Sequence, residues 1–386
     1  MRKTSMRLAA VVAAGALVLA ACGGSDDDAT SADAGGSSDT ATEEADSGDA
    51  DSGDADSGDA EEAAVEECGT IDLLQPIPES ILFWPLITSN ALGYFEDEGL
   101  EVNLLPGGDL PETAFVENGD ADIATAGGPE VMQAIDAGAD LEVVYDYWNV
   151  AAEGLVTLAD GPDNPADVQT VGLVSDSDAA TVTIIWNALG LDPDSVNTIT
   201  LGDSPAVLAE SLENGSVDAV AGAILDFIGI QAAGLSIKDI SPSEFKASPS
   251  ASFIVTPDTI ANNGECIERF LRAWAKGTYA GLVNGPATQA MGKEAVPEEW
   301  IEESVGVASY DQSVAPNSPA ESDGTFGVVQ KDVWQAQADE LISIGELDLE
   351  SLDVNSFIDE QFIGGANDWD RAQVEADIQA WADANM

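Results

Sequence analysis

Leu100, Val102 and Leu104 alternate with Glu101 and Asn103, the period of two that marks a strand with one buried face. Upstream, Gly99 follows the apolar Leu92, Tyr94 and Phe95, as a residue just past a helix C-terminus would. The stretch from Ala91 to Val102 therefore reads as helix, glycine stop and strand. Tyr94 and Phe95 are expected to pack that helix onto a sheet, with Glu96, Asp97 and Glu98 facing water. Further strand signals lie at 70–75, 121–126, 141–147, 154–158, 171–174, 198–201, 217–223 and 252–256. Helical stretches are expected at 112–118, 129–137, 179–189 and 204–213. From Glu265 onward helices dominate, at 265–283, 298–307 and 331–344. Residues 76–85 read as a loop, and Leu225, Asp226 and Phe227 trail a strand. Strands alternating with helices predict an α/β fold with parallel sheets.

The chain has 386 residues, enough for two or more domains, and 45% are hydrophobic, enough for a sizeable core. The formal charge of -62 excludes nucleic acid as a partner, because that binding needs clustered Lys and Arg. The same charge disfavours docking on anionic lipid.

Residues 1–21 read as a signal peptide. Arg2, Lys3 and Arg7 precede an apolar run at 8–20 that is too short to span a bilayer. The run ends Leu19-Ala20-Ala21-Cys22, the pattern of a bacterial lipobox in which Cys22 is lipidated. Residues 22–67 read as an acidic, disordered tether, with Asp-Ser-Gly-Asp-Ala in tandem at 46–50, 51–55 and 56–60. The spacing of an EF-hand calcium loop is missing, so no metal is expected. Cys68 and Cys266 remain, and they either pair or stand as separate thiols. A bridge would pin the start of the folded body to a late helix.

Several segments in order resemble the NMT1/THI5-like solute-binding proteins, relatives of the sulfonate, taurine and nitrate binders. Gly93-Tyr94-Phe95-Glu96 with Gly99-Leu100-Glu101-Val102 resembles the family's helix-to-strand junction. Gly119-Asp120-Ala121-Asp122, Asn164-Pro165-Ala166-Asp167-Val168 with Val171-Gly172-Leu173, Leu189-Gly190-Leu191-Asp192-Pro193 and Glu213-Asn214-Gly215-Ser216-Val217-Asp218-Ala219 follow in the family's sequence. Trp334, Leu341, Gly345 and the stretch from Asn355 to Phe362 resemble its pyrimidine-precursor branch. The resemblance implies a type II periplasmic-binding-protein fold, with two α/β lobes joined by two crossover strands near 151–158 and 251–256. Lobe one would be 68–152 plus 254–386, and lobe two 153–253. It also implies a monomeric receptor of an ABC importer, without cofactor. The partners are a small-molecule ligand, the permease and its ATPase, and the receptor sits outside the cytoplasmic membrane on a lipid anchor.

Ligands of open α/β sheets bind beyond the carboxyl ends of strands. That rule selects Phe83 and Trp84, Gly127 and Gly128, Tyr147 and Trp148, Ser175, Asp176 and Ser177, and Asp226 and Phe227. Each has a plainer reading: caps for Ser175 to Asp178, a turn for the glycines, core packing for the aromatics. The basic residues Lys238, Lys246, Arg269, Arg272, Lys276, Lys293, Lys331 and Arg371 all fall outside these loops. Aromatics with Asp226 suit a flat, neutral or weakly basic heteroaromatic, such as a thiamine pyrimidine precursor. The alternative is an anion held by backbone N–H groups alone. Pyrimidine-branch relatives carry Asn and His before the first helix, where this chain has Ser80-Ile81-Leu82-Phe83-Trp84-Pro85. The chain contains no His, which excludes imidazole catalysis and the Ser-His-Asp triad. An enzyme is therefore not expected. A surface sensor is the remaining class.

Overall fold

The computed structural model describes residues 68–107, 111–247 and 250–386. The leader, the acidic segment and Cys22 lie outside the described residues. Strand β1 (Gly69–Leu74) is followed by a 3-10 turn (Ile81–Phe83) and then α1 (Trp84–Ala91) and α2 (Tyr94–Asp97). Next come β2 (Leu100–Leu105), α3 (Glu112–Glu117), β3 (Ile123–Ala126), α4 (Gly128–Asp136) and β4 (Glu142–Trp148). The chain continues through β5 (Glu153–Leu158), β6 (Thr170–Leu173), α5 (Ala179–Ala188), β7 (Asn197–Thr200), α6 (Pro205–Glu213), β8 (Ala219–Ala223), α7 (Ile224–Ala232), β9 (Ile237–Asp239) and α8 (Ser243–Lys246). It closes with β10 (Ala251–Val255), α9 (Pro257–Val283), α10 (Gly285–Ala295), α11 (Glu303–Val314), α12 (Lys331–Ile344), α13 (Ile363–Ala366) and α14 (Arg371–Asn385).

Two sheets of five strands result, in the orders β2-β1-β3-β10-β4 and β7-β6-β8-β5-β9. Each sheet pairs its first three strands in parallel and accepts one antiparallel strand. That odd strand is the one arriving from the other half: β5 directly after β4, and β10 after β9. The chain therefore crosses twice between two α/β lobes, as the type II fold requires.

Gly93 and Gly99 both have positive φ, +77° and +73°. Glycine adopts this conformation cheaply, so the chain turns twice within seven residues and enters β2. The expected loop 76–85 ends earlier, because the apolar Ile81 to Phe83 already coil and α1 begins at Trp84. Helix α1 lies flat on α9 through a notch of small residues. A Cβ on Gly277 would stand 2.0 Å from Ser89 Oγ, and one on Gly281 would stand 2.2 Å from the Trp84 ring. Thr88 Oγ1 and Ser89 Oγ donate at 2.8 Å to the carbonyls of Gly277 and Ala273, which ties the two helices further.

Glu98 corrects the sequence reading, because it does not face water. Its carboxylate is buried and accepts from Arg272 Nη1 at 3.1 Å and Lys276 Nζ at 3.0 Å on α9. Beside it the structure joins Cys68 to Cys266 in a disulfide with a Cα–Cα distance of 5.6 Å. No helix among the described residues is long and apolar enough to cross a membrane.

Candidate functional site

In lobe one, β1 and β3 run parallel with Leu73 opposite Ile123 and Leu74 opposite Ala124. Side chains two apart share a face, so Ile71, Leu73 and Ile123 line the side that packs on α1 and α9. The next positions on that face are Gln75 and Thr125, set side by side at the carboxyl edge of the sheet. The apolar row thus ends in polar groups. Gln75 is 1% exposed and Thr125 2%, and neither Gln75 Nε2, Gln75 Oε1 nor Thr125 Oγ1 has a hydrogen-bond partner among the described residues.

Two strands across, β4 ends in Tyr147 and Trp148, both 5% exposed. The Tyr147 ring stacks on Phe253 at 4.8 Å, and Phe253 pairs with Thr125 in the β10–β3 register. Phe83 stacks on Trp148 at 5.2 Å. The Tyr147 hydroxyl and Trp148 Nε1 are also buried without partners among the described residues. Asn317 adds an acceptor: its Nδ2 donates to the Leu82 and Ser313 carbonyls, while its Oδ1 is unmet. A buried polar group with no partner costs roughly 1–3 kcal/mol. Four such side chains at one sheet edge, with Asn317 beside Leu82 as a fifth, form an unusual concentration, because native interiors leave few polar groups unpaired.

Lobe two covers this edge. Ile224 and Ile228 of α7 join the same apolar cluster as Phe83, Tyr147 and Trp148. Gln312 Nε2 on α11 donates to Gln231 Oε1 on α7 at 2.7 Å. Elsewhere along the lobes a groove of about 530 Å³ stays open. Pro129 and Glu340 face Thr181 and Ile184 across it, over Ala151 and Phe245.

The expected site residues divide. Phe83, Tyr147 and Trp148 meet in the aromatic group just described. Gly127 caps α4 and Gly128 begins it, beside the open groove, but a Cβ on Gly128 would strike the Gln337 side chain at 2.1 Å. Trp84 does not reach the cleft. It is fully buried, its Nε1 donates to Ser313 Oγ at 3.0 Å, and its ring meets Tyr310 and the Gly281 notch. Phe227 likewise lies in the core of lobe two, because Leu225, Asp226 and Phe227 belong to α7 rather than to a loop. Asp226 Oδ2 accepts from its own helix cap, Ala223 N, at 2.8 Å. Ser175 is capped in turn by Asp178, whose Oδ2 accepts from Ser175 N at 2.7 Å, and Asp176 Oδ1 accepts from Thr200 Oγ1 at 2.6 Å. Ser175, Asp176 and Ser177 are exposed.

These caps set the electrostatics. Helix N-termini that would attract an anion carry carboxylates already. Burial, with Asp178 and Asp203 nearby, holds the Asp226 pKa above the usual carboxylate range. Burial pushes the Tyr147 phenol up, the nearby Thr125 hydroxyl opposes the rise although no hydrogen bond of good geometry joins the two, and the Glu112 carboxylate adds to it. Among the described residues no cluster of acids, Cys or His is arranged to hold a metal ion.

The sequence profile of the family described as NMT1/THI5 like matches residues 81–287, more than half of the chain. The chain belongs to the NMT1/THI5-like family. A comparison with curated proteins finds no match. Solved structures share the family fold at low identity. The periplasmic aliphatic sulphonate binding protein SsuA of Escherichia coli is 15% identical with a TM-score of 0.55, covering 75% of this chain and 97% of its own. The ligand binding component of an ABC-type import system from Staphylococcus aureus, with zinc bound, is 10% identical with a TM-score of 0.51, covering 78% and 99%. The desulfurization enzyme DSZB is 15% identical with a TM-score of 0.50, covering 77% and 98%. The same NMT1/THI5-like architecture thus resembles binding proteins and an enzyme, so function must be argued from the site.

Sequence reasoning missed Gln75, Thr125 and Asn317. Gln75 and Thr125 are the first polar residues on a buried strand face after an apolar run. Gln75 ends one expected strand and Thr125 lies inside another, so neither stands out as a site residue until its burial is known.

Proposed function

We propose that this NMT1/THI5-like chain is the extracytoplasmic solute receptor of an ABC importer. It is held outside the membrane by lipid on Cys22 and works as a monomer with a permease and its ATPase. The ligand sits at the carboxyl edge of the lobe-one sheet, against Gln75, Thr125, Tyr147 and Trp148, and closure of lobe two buries it. The supporting observation is the convergence of buried donors and acceptors that lack partners among the described residues. Binding a polar solute would offset their desolvation, and a ligand that favours the closed arrangement shifts the lobes toward it.

The ligand is small, flat and neutral or weakly basic, a heteroaromatic such as a thiamine pyrimidine precursor. Phe83 and Trp148 offer stacking, and Glu112 adds negative potential. Each basic residue in the described chain is engaged elsewhere: Lys238 with Asp163, Lys246 with Asp239, Arg269 with Glu265, Arg272 and Lys276 with Glu98, Lys293 with Glu303, Lys331 with Glu360, and Arg371 with the Gly324 carbonyl. A sulfonate is the second reading, favoured by the Thr125, Tyr147 and Trp148 donors, which could take its oxygens.

A thermal-shift series on the purified protein tests both. A rise of several degrees with 4-amino-5-hydroxymethyl-2-methylpyrimidine, and none with ethanesulfonate, taurine or nitrate, is expected. A rise with the sulfonates alone transfers the site to the second reading. Stabilisation by none of these, with no solute copurifying in native mass spectrometry, overturns the receptor assignment.

A further inference from the structure

Gln75 is the side chain at this edge whose burial the fold explains least. Both of its amide atoms are buried and unpaired among the described residues. The residue after it is Pro76, which has no N–H for the amide oxygen to accept from. Its apolar neighbours Leu73 and Leu74 would pack as well on a leucine or methionine. Thr125 stands next to it in the β1–β3 register, and Gly107 approaches its backbone, with an ideal Cβ there 3.9 Å from the Gln75 carbonyl.

A primary amide presents one donor and one acceptor side by side in a plane. We infer that Gln75 reads a matching acceptor–donor edge on the ligand through two parallel hydrogen bonds, which makes it the specificity-determining residue of the site. The ligand class follows from that pairing: an aminopyrimidine, a lactam or a primary carboxamide. A sulfonate or nitrate offers acceptors alone and leaves Oε1 unmet. An ammonium offers donors alone and leaves Nε2 unmet. The same pairing logic lets Gln recognise adenine bidentately. This inference rests on the receptor reading above and narrows it.

The test titrates wild type, Gln75→Leu and Tyr147→Phe calorimetrically. The probes are 4-amino-5-hydroxymethyl-2-methylpyrimidine, its 4-dimethylamino analogue, uracil, nicotinamide and ethanesulfonate. At least one of the aminopyrimidine, uracil and nicotinamide binds wild type, and Gln75→Leu weakens it at least tenfold. If it is the aminopyrimidine, dimethylation costs wild type a similar factor and leaves Gln75→Leu almost unaffected. Gln75→Leu without ligand melts at or above the wild-type temperature. Several outcomes overturn the inference. One is Gln75→Leu binding the donor–acceptor probes as wild type does while Tyr147→Phe weakens them, which leaves the receptor site standing. A second is binding of ethanesulfonate only, which also leaves a receptor. A third is a fall of many degrees in the melting temperature of Gln75→Leu, which would make the amide structural. Failure of every probe to bind wild type removes the inference along with its basis.

Discussion

Gln231 on α7 and Gln312 on α11 meet across the two lobes in a 2.7 Å side-chain hydrogen bond. The bond lies along the seam that covers Tyr147 and Trp148, and it can form only when the lobes are together. Removing it should raise the population of open protein without harming either lobe. Gln312→Ala is expected to speed ligand release roughly fivefold, the equivalent of about 1 kcal/mol for one exchanged hydrogen bond. The unliganded melting temperature should stay within about a degree or two, since Gln312 is only half-buried and the substitution removes a single polar contact outside either lobe's core. Stopped-flow release from wild type and variant checks this. Equal rates would show that closure does not depend on the α7–α11 contact.

Glu98 holds Arg272 and Lys276 on α9 at 3.1 Å and 3.0 Å and is the electrostatic joint between the β2 corner and the long helix. Glu98→Gln leaves two partly buried cations facing a neutral amide. Loss of a fully buried pair costs about 3–5 kcal/mol. Arg272 retains Glu268 at 2.9 Å, so the expected loss here is smaller, about 2 kcal/mol, read as a drop in the urea midpoint. The loss should shrink little in high salt, since the pairs are mostly buried.

The helix, glycine and strand around Glu98 were legible in the sequence because they are written locally. Gly99 does adopt positive φ, Leu100 to Leu105 is a strand, and Tyr94 and Phe95 are buried. Glu98 was misread because its burial is decided by Arg272, 174 positions away. The same split runs through the site. Tyr147 and Trp148 could be placed at a strand end from pattern alone, and the structure gathers them with Phe83. Trp84 and Phe227 could not be sorted from ligand contacts, because a bulky apolar residue after a strand looks alike whether it faces a cleft or starts a packed helix. Asp226 stood among the candidate ligand contacts because the sequence does not show that α7 starts two residues before it. Gln75 and Thr125 were hidden by the opposite habit, since polar residues at strand ends are ordinary until their burial is known.

The Cys68–Cys266 bridge closes a separation of 198 residues and ties the start of β1 to α9. In the chain-entropy view a loop this long contributes on the order of 3–5 kcal/mol, mostly by restricting the unfolded chain. Cys266→Ser should therefore lower the melting temperature by several degrees. Dithiothreitol should have the same effect on wild type and none on the variant. Ligand affinity should hardly change, because the bridge lies at the opposite end of β1 from Gln75. A large affinity loss in the folded variant would mean that the bridge also sets the sheet edge.

Asp146 is a buried carboxylate with no cation beside it among its hydrogen-bond partners. Ser252 Oγ donates to its Oδ1, and Trp334 Nε1 at 3.2 Å and Gln330 N at 3.4 Å donate to its Oδ2. Burial raises its pKa to about 7 against these three donors, with Glu360 adding to the rise. The sign follows from the two states. The unfolded carboxyl ionises near its ordinary value of 3.8, while the folded one keeps its proton to about 7. Stability from this group is therefore present below about pH 4, falls as pH rises through the window from about 4 to 7, and levels off above it. Asp146→Asn keeps the shape and the Oδ2-side acceptor, while its amide can donate to Ser252 Oγ as a protonated carboxyl would. The variant should match wild type near pH 4. It should be more stable by on the order of 2–4 kcal/mol at pH 8, where wild type must bury the charge. Melting curves of both proteins from pH 4 to 8 decide it, since the other carboxylates titrate equally in each and cancel in the difference. A difference that stays flat with pH would mean that Asp146 ionises in its ordinary range despite its burial.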